Sequence, residues 1–365
     1  MIYLDHNSST YILPHIYDEI HDKRDGFLAN ADAQHAAGRI TKAYVEDGRS
    51  RIADLVGVKS KNIIFTGGAT ESNAMAMLSY IASGALILAF ATEHKSVLKY
   101  ASKNIRVLNS GVADLEALQH SLEEYKGHDN VVVACMYANN ETGVISDPRN
   151  EVVDLCARYG AKLHIDASQC YGKGGRLSES QVSYASSAVL SGHKMHALKG
   201  VGALIFKDEM QAVLAPLMLG GHQELGLRPG TPNVEAIYSF GIAADYSKNI
   251  DVSMMKSKIM ALEKDLSSIS EINGGKESRL ANTTNLYFPK VTDLQMFIEE
   301  LSDDGVMISG MSACDSGFND KSHVITAMYG NDTERANGSI RMSISETTSW
   351  TDIINTIEII KSVLA

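Results

Sequence analysis

The chain has 365 residues, 44% of them hydrophobic and 21% charged, with a formal net charge of −11. This is the composition of a globular protein that can bury a sizeable core, and the length suits two domains. The acidic balance argues against wrapping nucleic acid, so no direct nucleic acid binding is expected.

The N-terminal MIYLDHNSST lacks a basic start followed by an apolar run, so no secretory signal is expected. From about residue 40 to 245, apolar runs alternate with helical patterns. Asn62–Phe65, Ala85–Ala91, Val131–Tyr137, Lys162–Asp166, Ala188–Ser191 and Val201–Phe206 read as buried strands, with helices such as Ile40–Leu55 and Glu151–Tyr159 between them. Near-continuous apolar strands separated by helices predict a mostly parallel α/β sheet covered on both faces. Even the longest apolar run, Ala85–Ala91, is far shorter than the ~20 residues of a membrane span. The expectation is a cytoplasmic protein with no membrane segment. Beyond about residue 250 the pattern changes to a smaller α+β domain: a helix (Ser253–Leu266), a strand (Thr284–Phe288), a helix (Asp293–Leu301), a short strand near Val306 and a last helix capped by Ser349 with Asp352 three residues on.

Three stretches carry chemistry. In Phe65–Asn73 (FTGGATESN) a strand ends, two glycines turn the chain and a helix begins near Thr70; such a helix N-terminus attracts an anion, though an ordinary strand–helix turn reads the same way. In His164–Gln169, Asp166 ends a buried strand, where a carboxylate needs a partner or a task. In Ser191–Lys194, a lysine follows another apolar strand, where partial burial makes an amine more nucleophilic. Each alone fits a solvated loop residue. Together they match what pyridoxal 5'-phosphate needs: an amine for a Schiff base, a carboxylate for the pyridine nitrogen and an anion site for phosphate. The four cysteines show no CxxC spacing and the 12 histidines no HExxH, so no metal site is expected. Cys135 (VVVACMY) and Cys156 (EVVDLCARY) read as packed, and Cys170 as wedged in a turn. Cys314 sits in the small, polar Ser309–Gly317 stretch suited to a mobile loop.

With these residues in place, the sequence resembles the cysteine desulfurases among the fold-type I pyridoxal-phosphate enzymes, in the class V aminotransferase group. The resemblance rests on IYLDHNSST (Ile2–Thr10), NADAQHAAGR (Asn30–Arg39), FTGGATESN, EHKSVL (Glu93–Leu98), NNETGVI (Asn139–Ile145), HIDASQ, SGHK, GGHQELGLRPGTPN (Gly220–Asn233), SAC (Ser312–Cys314) and GSIRMS (Gly338–Ser343), all in family order. It implies a homodimer with a seven-stranded, mainly parallel sheet. A large cofactor-binding domain would span 14–250, and a small domain would combine 1–13 with 251–365. It implies that Lys194 holds the cofactor, Asp166 pairs with the pyridinium and Gln169 bonds the ring hydroxyl. His94 would stack on the ring and assist proton transfer. Ala69, Thr70, Ser191 and His193 would hold the phosphate, with Thr231 reaching it from the other subunit. Asn140 would lie near cofactor and substrate, and Arg341 would clamp the substrate carboxylate.

The implied reaction takes sulfur from L-cysteine, releasing alanine and leaving a persulfide on Cys314. A sulfur-acceptor protein would follow, such as an iron–sulfur scaffold or a thiolation enzyme. Alternatives are a selenocysteine lyase, another class V enzyme, or a catalytically inactive cofactor-binding scaffold subunit. The chain departs from the family's SSGSACT in having Met311 in place of glycine and Asp315 after the cysteine; a carboxylate there disfavours a thiolate. Gly67 stands where serine is common.

Overall fold

The structure, a computed structural model, describes residues 1–275, 278–310, 321–330 and 332–365. In chain order its strands are β1 (Ile2–Tyr3), β2 (Ile63–Thr66), β3 (Leu86–Phe90), β4 (Lys103–Ile105), β5 (Val131–Ala134), β6 (Lys162–Asp166), β7 (Ser187–Ser191), β8 (Gly202–Phe206), β9 (Glu271–Ile272), β10 (Thr283–Tyr287), β11 (Val306–Met307) and β12 (Ser339–Ser343). Seven of them form one sheet in the order β2-β8-β7-β6-β5-β3-β4. Every neighbouring pair from β7 to β4 is parallel, while β8 runs against both β2 and β7. A mainly parallel sheet needs cover on both faces, which explains why its strands read as unbroken apolar runs.

Successive side chains point to opposite faces of a strand, so the sheet feeds two cores. Phe65, Leu88, Val133, Leu163 and Leu190 pack on one side with helices Ala36–Val56 and Val234–Ser247. Ile64, Ile87, Val132, Val189 and Leu204 pack on the other with helix Ala69–Ala82. A separate cluster joins Leu4, Leu262, Leu266, Phe288, Phe297, Leu301, Ile340, Met342, Ile353 and Ile360. It surrounds the three-stranded sheet β12-β10-β9 and the parallel pair β1–β11. The N-terminal segment therefore spans two cores, with Leu4 in the last cluster and Leu13 and Ile16 in the first.

The expected elements are present within a few residues of their expected bounds. The ladder of β5 stops at Ala134 rather than Tyr137, although Cys135 and Tyr137 still donate to carbonyls of β6 at 3.0 and 2.9 Å. The last helix, Trp350–Val363, begins with the Ser349–Asp352 capping box. Among the strands, β1, β4, β9 and β12 carried no clear sequence signal. The edge strand β4 is only three residues, two of them polar, and β12 alternates polar and apolar residues although all five are buried.

Candidate active site

Strands β2, β3, β5, β6 and β7 point the same way, so the segments after them gather at one edge of the sheet, where ligands bind in open α/β sheets. A cavity of about 640 Å³ opens there. It is lined by Gly67, Gly68, Ala69 and Thr70 after β2, His94 after β3, Asn140 after β5, Asp166 and Gln169 after β6, and Ser191, His193 and Lys194 after β7. Asn7, Ser8 and Arg341 close it from the second region. Of the residues expected at the site, Thr231 lines a different cavity with Arg49, Glu224 and Arg228, and Cys314 lies outside the described residues together with Met311 and Asp315.

Asp166 is 6% exposed and held at both oxygens. The Ser168 backbone N–H donates to Oδ1 at 3.0 Å and Asn73 Nδ2 donates to Oδ2 at 2.8 Å. Burial pushes the carboxyl up, but these bonds and the positive charge of His94 and Lys194 outweigh it, so the group sits below its ordinary value and stays ionised. Asn73 is oriented in turn. Its amide also donates to Ser96 Oγ at 2.9 Å, which leaves its carbonyl to accept from His164 Nε2 at 3.0 Å. His164 Nδ1 lies 2.7 Å from Ser187 Oγ, itself 2.8 Å from Tyr80 Oη. Buried, His164 is held below its ordinary pKa, so it is the neutral member of this chain. Asn73 belongs to FTGGATESN, but its task was not read from the sequence. Asn73 follows Thr70, Glu71 and Ser72 in the polar first turns of its helix, so no sequence signal sets it apart, and its burial is a property of the fold.

His94 caps the short helix Lys95–Leu98. The Ser96 N–H donates to its Nδ1 at 3.1 Å. His193 is pushed down to about 4, by burial and then by Lys194, Lys173 and Lys199, so it is neutral at pH 7. A protein of net charge −11 thus lines one cavity with Lys194, Lys199 and Arg341, as an anionic ligand requires.

The residues fit pyridoxal phosphate. Ser191 Oγ and Ser168 Oγ are buried hydroxyls without a partner among the described residues, and both residues line the cavity. The first N–H groups of helix Ala69–Ala82 have no acceptor within the helix. Gly68, at φ +153°, makes the turn into that helix, and a Cβ on Gly202 would stand 2.6 Å from its carbonyl carbon, so β8 presses the turn into place. An anion cradle, an ionised carboxylate and an amine therefore line one cavity.

Arg341 is 1% exposed. Its Nη2 donates to Asp5 Oδ1 at 2.5 Å and Ser8 Oγ at 2.6 Å, and its Nη1 to the Asn140 carbonyl at 3.1 Å, while Nε has no partner among the described residues. Both ends of the stretch that carries Cys314 are tied near the cavity. Ser309 exchanges backbone bonds with Arg341 at 3.3 and 2.6 Å, and Ser322 Oγ donates to Glu141 Oε2 at 2.5 Å. His323 Nε2 lies 3.0 Å from the carbonyl oxygen of Glu93, beside His94. The other three cysteines are buried; burial pushes the thiol of Cys156 up to about 12 and those of Cys135 and Cys170 well above the ordinary range.

Among the described residues no helix is long and apolar enough to cross a membrane, and no cluster of three or more His, Cys, Asp or Glu side chains is arranged to hold a metal. Residues 2–355 match the family model for class-V aminotransferases. A relative from Trichormus variabilis, cysteine desulfurase 2, is 33% identical across all of this chain and 93% of its own length. Among solved structures, a NifS-like protein from Rickettsia africae superposes with a TM-score of 0.88 at 33% identity, covering all of this chain and 99% of its own. SspA in complex with cysteine superposes with a TM-score of 0.80 at 25% identity, covering 96% of this chain and all of its own.

Proposed function

The chain belongs to the class-V aminotransferase family and, within it, is a pyridoxal-phosphate-dependent cysteine desulfurase, and from that premise we propose how its own residues divide the work. The observation that carries the proposal is that Lys194 and the ionised Asp166 line one cavity with a helix N-terminus and Arg341.

The cofactor, when bound, supplies an electron sink for charge that develops at the substrate Cα. Asp166 would keep the pyridine nitrogen protonated, and Asn73 and Ser168 would hold the carboxylate in place for that. Ala69, Thr70, Ser191 and His193 would take the phosphate and Gln169 the ring oxygen. Lys194 Nζ would anchor the cofactor at rest and, once freed by cysteine, remove the Cα proton. His94 would stack on the ring and assist proton transfer. Arg341, with Asn140 beside it, would orient the substrate carboxylate through its planar fork, in competition with Asp5. The Cys314 thiolate would then attack the substrate sulfur. The C–S bond breaks with its electron pair left on carbon, which is protonated on the way to alanine, and the sulfur stays on Cys314 as a persulfide for exchange onto an acceptor thiol. The buried thiols of Cys135, Cys156 and Cys170 support this choice, because the thiolate is the nucleophile.

The proposed division is a large domain at 14–250 and a small one combining 1–13 and 251–365; the separate cluster from Met255 to Ile360 with Leu4 supports it, while Leu13, Val324 and Met328 pack with the large core. A homodimer is the proposed state. Glu224 (φ +48°) and Leu225 (φ +61°) are strained, and Arg49 and the Phe65 N–H grip the Glu224 carboxylate at 2.6 to 2.8 Å. This presents the exposed Leu225 and Thr231 on a firmly held loop, which suits a Thr231 that serves the partner's phosphate. A cytoplasmic thiol acceptor, in iron–sulfur assembly or thiolation, completes the proposal. The test is direct: incubation with L-cysteine should give one alanine per sulfur transferred, with the persulfide mapped by mass spectrometry to Cys314. Alanine release that survives Cys314→Ser would overturn the assigned nucleophile.

A further inference from the structure

Lys173 is a buried lysine with no task in the reaction above. It lies in the glycine-rich turn after β6 and is only 3% exposed. Its Nζ donates to Gln169 Oε1 in a short hydrogen bond and to Asn7 Oδ1 at 3.3 Å. Gln169 Nε2 in turn donates to the Asn7 carbonyl at 2.9 Å, which leaves the second Nε2 hydrogen for the cavity that Gln169 lines. Asn7 Oδ1 also accepts from Asn282, so its amide nitrogen is free to donate to the Asn140 carbonyl at 3.2 Å, the same oxygen that Arg341 grips.

An amide can stand either way round, and only its partners decide which. We propose that Lys173 is a positioning residue that fixes the orientation of Gln169 and Asn7, so that Gln169 presents an N–H, and not a carbonyl, to the ring oxygen of the cofactor. The proposal rests on the reading that Gln169 meets that oxygen. The charged or titratable groups facing Lys173 are Lys194, Arg341, Asp5, His6 and His193. Burial, then Lys194 and Arg341, push its ammonium well below the ordinary range, which leaves N–H donation as its constant property.

The probe is the bound cofactor's visible absorbance, titrated against pH in the purified holoenzyme. A donated N–H favours the form with more negative charge on the ring oxygen, present above the midpoint, so losing it raises the midpoint. Lys173→Met, of similar volume but without a donor, should raise it by about one pH unit. Gln169→Ala should raise it similarly, and the double variant should move it little further, because both changes remove one interaction. Lys173→Gln, which keeps an N–H donor, should stay near the wild-type midpoint, and it serves as the test if Lys173→Met does not fold. A midpoint unmoved in Lys173→Met while Gln169→Ala shifts it overturns the proposal and leaves the Gln169 reading standing. A shift in Lys173→Met that persists in the Gln169→Ala background, or that Lys173→Gln reproduces in full, overturns it in favour of a direct charge effect on Lys194. If Gln169→Ala leaves the midpoint unmoved, the underlying reading fails and the proposal with it.

Discussion

Asn73 Nδ2 donates a hydrogen bond of 2.8 Å to Asp166 Oδ2, joining a helix of the large sheet to the end of β6 across 93 residues of sequence. It is the link by which the Tyr80–Ser187–His164 chain orients the carboxylate that faces the proposed cofactor site.

That bond gives the first prediction. Asn73→Ala should lower kcat for alanine release by about 10- to 100-fold with KM little changed, since one hydrogen bond to a charged group contributes ~1.5–3 kcal/mol. Asp166→Asn should cost roughly 10²-fold or more, because a neutral amide does not hold the pyridine nitrogen protonated. Steady-state kinetics on both variants decide it, and an Asn73→Ala enzyme of wild-type rate would remove the tether from the account.

Lys194→Ala should yield protein that loses its yellow colour once non-covalent cofactor is dialysed away. Borohydride reduction of the wild type followed by peptide mapping should place the phosphopyridoxyl group on Lys194. Its recovery on Lys173 or Lys199 would contradict the assignment.

Cys314→Ser should bind cysteine without forming a protein persulfide, because a hydroxyl is a far poorer nucleophile toward sulfur than a thiolate. Cys135, Cys156 and Cys170 changed singly should each keep persulfide formation, given their raised thiol pKa values. Asp315→Ser should move the alkaline rise in activity to lower pH, since a carboxylate next to Cys314 disfavours the thiolate. Mass spectrometry after brief incubation with cysteine and a pH–rate profile read these outcomes separately.

Glu93 predicts a pH effect on stability. It is 0% exposed, its Oε2 has no partner among the described residues, and burial, then the charge of Asp166, push its carboxyl up to about 8. A carboxyl raised on folding holds its proton in the folded state and loses it unfolded, so its contribution to stability falls as pH rises from about 4.5 to about 8. The limiting slope is ~1.4 kcal/mol per pH unit. Histidines 6, 164 and 193 work in the opposite sense below pH 6.5, and Asp147, raised to about 6, in the same sense. Glu93→Gln isolates the effect: its melting temperature minus that of wild type should grow from pH 5 to about pH 8 and level off above it. A difference that stays flat across that range would mean that Glu93 is ionised in the folded protein.

The sequence by itself determined the layered sheet, because a strand buried on both faces must be apolar throughout, and Ile63–Thr66, Leu86–Phe90 and Val131–Ala134 carry that pattern in their own residues. It also placed Asp166 and Lys194 at strand ends, which in a parallel sheet is the ligand edge. Only the tertiary structure decided which polar residues meet there. Asn73, Glu93, Lys173 and Asp5 each look like ordinary surface types in a linear reading, and nothing in their local spacing marks the first three as buried or Asp5 as half-buried. Their positions follow from pairings across 93, 43, 4 and 336 residues, with Asp166, Met136, Gln169 and Arg341. Hydrogen bonds of that kind are set by where the backbone brings two groups together and by the cost of burying either one alone, and both are properties of the folded chain.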